Sequence, residues 1–334
     1  MAEGTPQASD LVSLGDSGVS IPPLGVGTWA WGDKGTWGMG GYDASYSEDT
    51  IYEAWRASIE AGVVLFDTAE VYGRGESERI IGRLLARDPA LRERVVIASK
   101  FMPTPWKLAV TSALTAAAEA SRERLGVERI DLYQIHGPIS LRSHAALADA
   151  LAEAHQRGLV GAVGVSNYSV KETRSMDAAL RARGLRLASN QIEYSLLRTM
   201  PESVGLLACC RELGVVPLAY SPIGQGRLTG KYSAANPPPK SRTFSNHPMV
   251  RVDAVVAELR RTGSAHGDKT PSQVALAWII AKGAVPIPGA KNRAQAEENA
   301  GALGWSLSDE DVAALDAVAM YGQRGISQRF WQHG

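Results

Sequence analysis

Short apolar runs alternate with longer segments of helical periodicity along most of the chain. Each run spans only a few residues, is rich in Val, Ile and Leu, and is continuous rather than alternating, which is typical of parallel strands covered on both faces. Eight runs are candidate strands: 24–28, 63–66, 95–98, 132–135, 162–165, 188–192, 215–219 and 285–287. Because helical segments lie between them, the pattern predicts a series of βα units.

The segments between the runs carry signals for helix ends. Ser47 is a predicted N-cap followed by two acidic residues, where the helix dipole favours negative charge. A helix is predicted over 142–157, and another opens at Pro201 and continues to residue 213. The stretch 270–273 (TPSQ) combines a cap, a first-turn proline and a capping-box glutamine.

Eight βα units predict an α/β fold of the (β/α)8, or TIM, barrel type, with a doubly wound open sheet as the alternative. The last two predicted strands are far apart, so an insertion is expected after strand seven, at about 222–270, with a helix at 251–261. A further helix is predicted to begin near 308–311, beyond strand eight. We expect residues 1–334 to form a single domain, with residues 1–10 disordered.

Composition narrows the functional classes. The chain of 334 residues has 35 Lys and Arg against 35 Asp and Glu, so no global positive field favours nucleic acid or an anionic membrane. The two cysteines, Cys209 and Cys210, cannot build a disulfide framework. No signal peptide and no apolar run long enough to span a membrane are evident, which predicts a cytoplasmic protein. The six histidines lack metal-ligand spacing, so no metal is expected.

Polar side chains follow three consecutive predicted strands. Asp67, Lys100 and His136 stand at these strand ends, and Tyr72 follows Asp67 in the next loop. In a parallel barrel the carboxyl ends of the strands form the functional face. Each residue alone has a structural explanation: a helix cap, a solvated cation, a core histidine or a packing ring. Four titratable groups at neighbouring strand ends favour a catalytic site.

These residues lie in segments that resemble the aldo-keto reductase family. The matching segments, in order, are 24–29 (LGVGTW), 66–73 (FDTAEVYG), 76–78 (ESE), 97–100 (IASK), 131–136 (DLYQIH), 164–167 (GVSN), 190–191 (NQ), 219–222 (AYSP), 287–290 (IPGA) and 298–299 (EN). The resemblance spans nearly the whole chain. It implies a (β/α)8 barrel that reduces an aldehyde or ketone reversibly with NADPH.

The resemblance also implies a catalytic group of Asp67, Tyr72, Lys100 and His136. Tyr72 would donate a proton to the carbonyl oxygen while hydride reaches the carbon. We expect the Lys100 ammonium to lower the pKa of Tyr72 and the Asp67 carboxylate to keep Lys100 charged. His136 would orient the carbonyl oxygen.

No G-x-G-x-x-G motif opens a βα unit, so the resemblance implies a cofactor site at the barrel rim instead. Ser166, Asn167 and Gln191 would hold the nicotinamide carboxamide, and Tyr220 would stack on its ring. The remaining implied contacts are Ser221, Ile223, Gly224 and Gly226 for the pyrophosphate and Glu298 and Asn299 for the adenine. After Gly289, two cations, Lys291 and Arg293, stand at a predicted helix start, where a 2′-phosphate would meet positive charge and backbone amides. This favours NADPH over NADH, and Lys291 is the preferred contact of the two.

The substrate cannot be assigned from the sequence. Trp29, Trp31 and Trp106 are candidate pocket walls that suit an apolar or ring-bearing carbonyl compound, and the glycine-rich stretch 32–42 is a candidate flap. The aromatic pair Phe330 and Trp331 near the end of the chain has no assigned role, although Trp331 could also line the mouth. Two alternative functions remain: a slow NADP(H)-binding redox sensor, and a Schiff-base aldolase that uses Lys100. The oligomeric state is not predicted.

Overall fold

The computed structural model describes residues 11–32, 47–239, 247–323 and 325–334. Within these ranges eight parallel strands pair in sequence order, each beside the strand that follows it along the chain. A parallel bridge between Gly27 and Gly289 joins the first of these strands to the segment after the last, so the sheet closes into a barrel. The strands are β3 (Gly25–Gly27), β4 (Leu65–Asp67), β5 (Val96–Phe101), β6 (Ile130–Ile135), β7 (Val160–Ser166), β8 (Leu187–Glu193), β9 (Val216–Tyr220) and β10 (Val285–Pro286).

Helices cover the outside of the barrel. They are α1 (Glu48–Glu60), α2 (Glu76–Arg87), α3 (Val110–Leu125), α4 (His144–Gln156), α5 (Val170–Arg181), α6 (Met200–Ser203), α7 (Leu206–Leu213), α8 (Met249–Ala265), α9 (Pro271–Ala281), α10 (Arg293–Ala300), α11 (Asp309–Val318) and α12 (Ile326–Trp331). Ser47 caps α1 and Thr270 caps α9, each within a capping box. The (β/α)8 barrel predicted from the apolar runs is therefore confirmed, and so is the helix after 308–311.

Three elements differ from the sequence predictions. The helix expected from Pro201 to residue 213 is divided into α6 and α7, because Gly205 adopts a left-handed φ of 81° that interrupts the helical backbone. The helix expected over 251–261 is longer and forms α8, within the predicted insertion after the seventh barrel strand. A hairpin of β1 (Val12–Ser13) and β2 (Ser20–Ile21) was not predicted.

The core has two layers. Inside the barrel, side chains from several strands form one cluster, including Leu65, Leu132 and Leu218. Leu14 and Ile21, from the segment of the β1–β2 hairpin, belong to the same cluster. The hairpin therefore covers the inside of the barrel. A larger apolar layer lies between the strands and the surrounding helices. Residues 1–10 lie outside the described residues, and the single-domain organisation of 1–334 stays a prediction.

Candidate active site

Neighbouring strands bring the four predicted catalytic residues to one end of the barrel. The Lys100 ammonium donates hydrogen bonds to Asp67 Oδ1 at 2.5 Å, to the Thr68 carbonyl at 2.8 Å and to the Tyr72 hydroxyl at 3.3 Å. Lys100 is fully buried and Asp67 is 2% exposed. The ring centroids of Tyr72 and His136 are 5.5 Å apart, edge to face. Because strand register fixes Asp67 and Lys100, the Tyr72 hydroxyl has a charged neighbour in a defined place.

Gln134 also belongs to this group, and the sequence analysis missed it. Its Nε2 donates to Asp67 Oδ2 at 3.2 Å, and Gln191 Nε2 donates to the same oxygen at 2.8 Å. Both oxygens of the carboxylate are thus satisfied without water. The signal was the period of two along β6: Gln134 stands two residues before His136, so both face the same side of the sheet.

The electrostatics of Tyr72 correct one expectation. Burial raises the pKa of Tyr72 well above its ordinary value, and the Asp67 charge adds to this rise. The net lowering of this pKa that the sequence analysis expects is therefore not found, because burial, the largest cause of the shift, acts in the opposite direction. Burial likewise lowers the pKa of Lys100, although Asp67 opposes that change. The protonated phenol is the favoured form of Tyr72 at neutral pH.

His136 is held neutral. Burial lowers the pKa of this imidazole well below its ordinary value, and the Lys100 charge acts in the same direction. Its Nδ1 is buried and makes no hydrogen bond to any of the described residues. On its other side, the ring meets Trp331 edge to face with centroids 5.5 Å apart. A neutral imidazole between two aromatic rings can donate one hydrogen bond to a neighbouring oxygen.

The residues expected around the nicotinamide form a second group on β7, β8 and β9. Ser166 Oγ donates to the Gln191 carbonyl at 3.0 Å, and the Tyr220 hydroxyl donates to Asn167 Oδ1 at 3.0 Å. Asn167 has a φ of 62°, a left-handed conformation that asparagine tolerates better than most residues. The structure therefore brings Ser166, Asn167, Gln191 and Tyr220 together, while their roles toward a cofactor stay predictions.

A tight turn follows β9, where the pyrophosphate contacts were predicted. Ser221, Gly224 and Gly226 have φ values of 52°, 56° and 89°. The Gly224 amide donates to the Ser221 carbonyl, and the Gly226 amide donates to the Ile223 carbonyl. These two amides thus stabilise the turn itself, and the pyrophosphate contacts expected here stay predictions.

The predicted adenine and 2′-phosphate residues lie on α10 and in the segment just before it. Lys291 is 8% exposed and comes directly before the N-cap, Asn292. In the last turn of α10, Asn299 Nδ2 donates to the Gly289 carbonyl at 3.2 Å, and Glu298 accepts a hydrogen bond from the Thr270 hydroxyl. These contacts hold α10 against the segment that follows β10 and against the start of α9.

Arg293 differs from Lys291 in its environment. Its guanidinium forms ion pairs with Glu53 at 3.1 Å, Glu60 at 3.6 Å and Glu297 at 3.0 Å. The side chain is 44% exposed. It would have to exchange carboxylate partners to reach a phosphate.

The three predicted pocket tryptophans have different environments. Trp29 lies beside Tyr72, with centroids 6.3 Å apart, which is consistent with a pocket wall. Trp31 is fully buried, and its Nε1 donates to the Ala290 carbonyl at 2.8 Å, so its assignment to the pocket is wrong: it packs inside the fold. Trp106 is 77% exposed and stands on the surface rather than in a wall. Most of the stretch 32–42 lies outside the described residues.

The described ranges contain neither a membrane-spanning helix nor a metal cluster. No helix there is both long and apolar enough to cross a membrane. No group of three His, Cys, Asp or Glu side chains among those residues has the arrangement of a metal site.

Comparison with known proteins identifies the family. The family model described as "Aldo/keto reductase family" matches residues 23–320. The chain belongs to the aldo/keto reductase family. A chloroplastic pyridoxal reductase from Arabidopsis thaliana is 36% identical over 328 residues, which cover 94% of this chain and 87% of that protein. The family membership makes the chain an NADP-dependent oxidoreductase.

Solved structures agree with this assignment. A glycerol dehydrogenase from Gluconobacter oxydans superposes with a TM-score of 0.79 at 28% identity, covering 96% of this chain and 99% of that one. An aldo-keto reductase from Klebsiella pneumoniae, solved in complex with NADPH, has a TM-score of 0.73 at 27% identity, with 95% and 97% covered.

The residues present fit nicotinamide adenine dinucleotide phosphate, NADP(H). Hydroxyl and amide groups of Ser166, Asn167 and Gln191 lie beside the catalytic group, as a carboxamide requires. At the other end, a nine-tenths buried lysine stands at the start of α10, where a phosphate would meet positive charge and the helix dipole.

Proposed function

We propose that this aldo-keto reductase reduces an aldehyde or ketone to the alcohol, reversibly, with Tyr72 as the general acid. The observation that carries the proposal is the hydrogen-bonded series from Asp67 through Lys100 to the Tyr72 hydroxyl, with lengths of 2.5 and 3.3 Å. A phenol beside a buried ammonium is a proton donor whose conjugate base has a stabilising charge next to it.

The raised pKa of Tyr72 fits the reducing direction. A protonated phenol must stand beside the carbonyl oxygen while negative charge develops there, and burial keeps Tyr72 protonated. Once the proton has left, the tyrosinate is stabilised by the Lys100 ammonium 3.3 Å away. Asp67 holds that ammonium in place rather than acting on the substrate.

His136 would donate a hydrogen bond to the same carbonyl oxygen and so orient it toward Tyr72. Its neutral state suits this role, because an imidazolium would compete with Tyr72 as the acid. When bound, NADPH supplies the hydride. Ser166, Asn167, Gln191 and Tyr220 would hold its nicotinamide next to the catalytic group, and Lys291 would meet the 2′-phosphate.

The surroundings of Lys100 disfavour a Schiff-base aldolase. The ammonium is fully buried and donates to Asp67, Thr68 and Tyr72. A nucleophilic lysine needs a neutral amine, whereas the Asp67 carboxylate paired with Lys100 favours the charged ammonium. The redox-sensor alternative differs from the enzyme only in turnover rate, so kinetics must separate them.

We infer that the substrate is a ring-bearing carbonyl compound. Trp29 lies against Tyr72, and Trp331 lies against His136, so aromatic faces flank both proposed contacts to the carbonyl oxygen. The name of the Arabidopsis relative, a pyridoxal reductase, makes a heteroaromatic aldehyde the first substrate to test. A cytoplasmic location stays a prediction.

The Tyr72→Phe variant tests the mechanism. We expect kcat for aldehyde reduction to fall by about 10²–10⁴-fold, because general acid catalysis contributes about that much. The Kd for NADPH, measured by fluorescence titration, should change by less than about twofold. Oxidation of NADPH should be followed over pyridoxal, aliphatic aldehydes, ketones and sugars.

Tyr52→Phe is the matched control, because Tyr52 lies on α1 against Arg87, remote from the catalytic strand ends. It should leave kcat unchanged. Near-normal turnover by Tyr72→Phe would refute the assigned acid. One rapid oxidation of bound NADPH without steady-state turnover on any of these compounds would favour the sensor.

A further inference from the structure

The segment 325–334, here called the closing segment, lies beyond the part of the chain that matches the family model. It contains α12 and three following residues. Its Trp331 ring packs on His136, and a Cβ added to Gly137 would lie 2.9 Å from that ring. A side chain at position 137 would therefore displace Trp331.

Gln332 links the closing segment to the proposed nicotinamide site. The residue is fully buried, and its Nε2 donates to the Tyr220 hydroxyl at 2.8 Å and to Glu193 Oε2 at 2.6 Å. The Tyr220 hydroxyl in turn donates to Asn167 Oδ1 at 3.0 Å. The phenol of Tyr220 is thus held by one bond that it accepts and one that it donates.

The backbone of the closing segment is attached independently of the Gln332 side chain. The amides of His333 and Gly334 both donate to the Asn167 carbonyl, at 3.1 and 3.2 Å. Arg198 Nη2 donates to the Gly334 carbonyl at 2.9 Å, and His333 Nδ1 lies 2.9 Å from Glu172 Oε1. Loss of the Gln332 amide should therefore leave the segment in place.

We propose that Gln332 is a positioning residue: it holds the Tyr220 ring in place and thereby strengthens cofactor binding. The inference depends on the proposed function, in which Tyr220 stacks on the nicotinamide. Two hydrogen bonds at the hydroxyl restrain the ring from swinging about the Cα–Cβ bond, so its stacking position is already set before the cofactor arrives. Gln332 reaches the reaction through Tyr220 and touches neither substrate nor cofactor.

The test is a double-mutant cycle on NADP+ binding, measured by calorimetry on the full chain. Gln332→Met keeps the length of the side chain and removes its donors, and Tyr220→Phe removes the hydroxyl. Each single variant should weaken binding by about three- to tenfold, the range of one neutral hydrogen bond. Because the two variants share the Gln332–Tyr220 hydrogen bond, the loss of affinity in the double variant should be smaller than the product of the two single losses.

Phe330→Ala is the matched control, because Phe330 is 72% exposed on the same helix. It should bind NADP+ with unchanged affinity. If Gln332→Met does not fold, Gln332→Asn, which is too short to reach both partners, carries the same expectations.

Two results would overturn the positioning role alone: unchanged affinity in the Gln332 variant, or losses that multiply in the double variant, as a general structural role predicts. Failure of the unaltered protein to bind NADP+ would instead overturn both this inference and the proposed function.

Discussion

The catalytic group and the start of α10 hold their charged side chains in different ways. Lys100 is enclosed by strands and makes three hydrogen bonds to fixed partners, whereas Arg293 is 44% exposed among three surface carboxylates. Buried polar contacts are costly to leave unsatisfied, while exposed ion pairs contribute about 0–1 kcal/mol. Burial therefore determines how strongly a charged side chain is held in one geometry.

The largest effect is expected from Lys100→Met. It leaves the Asp67 carboxylate buried with only amide donors among its described partners, Gln134 and Gln191. Removing one partner of a buried ion pair costs about 3–5 kcal/mol in the free energy of unfolding. We also expect kcat to fall by about 10²-fold or more, since the tyrosinate loses its neighbouring charge. Urea unfolding and steady-state kinetics measure the two effects.

Lys107→Met serves as the comparison for Lys100→Met. Lys107 lies 3.5 Å from Glu70 and is 28% exposed, so its removal should cost about 1 kcal/mol or less. Equal losses of stability in the two variants would show that burial does not determine how much each ion pair contributes to the free energy of unfolding.

A smaller effect concerns the pH dependence of stability. The pKa of His136 is lowered in the folded protein, so below about pH 6.5 the unfolded chain binds a proton that the folded chain does not. Stability should therefore fall as pH decreases from 6.5, by up to about 1.4 kcal/mol per pH unit from this residue. His136→Gln should flatten the curve of unfolding free energy between pH 5 and 7. An unchanged slope would mean that His136 is not held neutral.

The same contrast explains what could be predicted from the sequence. Continuous apolar runs identify buried parallel strands, so the barrel and the strand-end positions of Asp67 and Lys100 follow from local pattern. The β1–β2 hairpin has strands of two residues, too short to show periodicity. The period of two places Gln134 on the same face as His136, but its role depends on Asp67 on a non-adjacent strand, which local pattern does not reveal.

The burial of individual side chains could not be predicted from the sequence either. Trp31 and Trp106 look alike in the sequence, yet one is fully buried and the other 77% exposed, since only tertiary packing distinguishes them. Similarly, the effect of burial on the pKa of Tyr72 requires the surrounding fold. The charged neighbours of a residue could be predicted from the spacing of strand ends, whereas the effect of its burial on its pKa could not.

The remaining effect is expected at the start of α10, where Lys291 and Arg293 are both candidates to bind one predicted phosphate. Lys291→Ala should weaken NADPH binding by about ten- to a hundredfold and leave NADH binding unchanged, because a charge-assisted contact is worth about 1.5–3 kcal/mol. Titration of both cofactors with each variant provides the measurement.

Arg293→Ala should weaken NADPH binding by less than about threefold under the same conditions. To bind the phosphate, Arg293 would have to give up Glu53 and Glu297, so any gain is offset by the pairs it loses. Glu53→Gln releases one of these pairs and should increase the contribution of Arg293 to NADPH affinity. If Arg293→Ala weakens NADPH binding as much as Lys291→Ala does, the exposed Arg293 binds the phosphate despite its carboxylate partners. Exposure would then not reduce the contribution of a side chain to ligand binding.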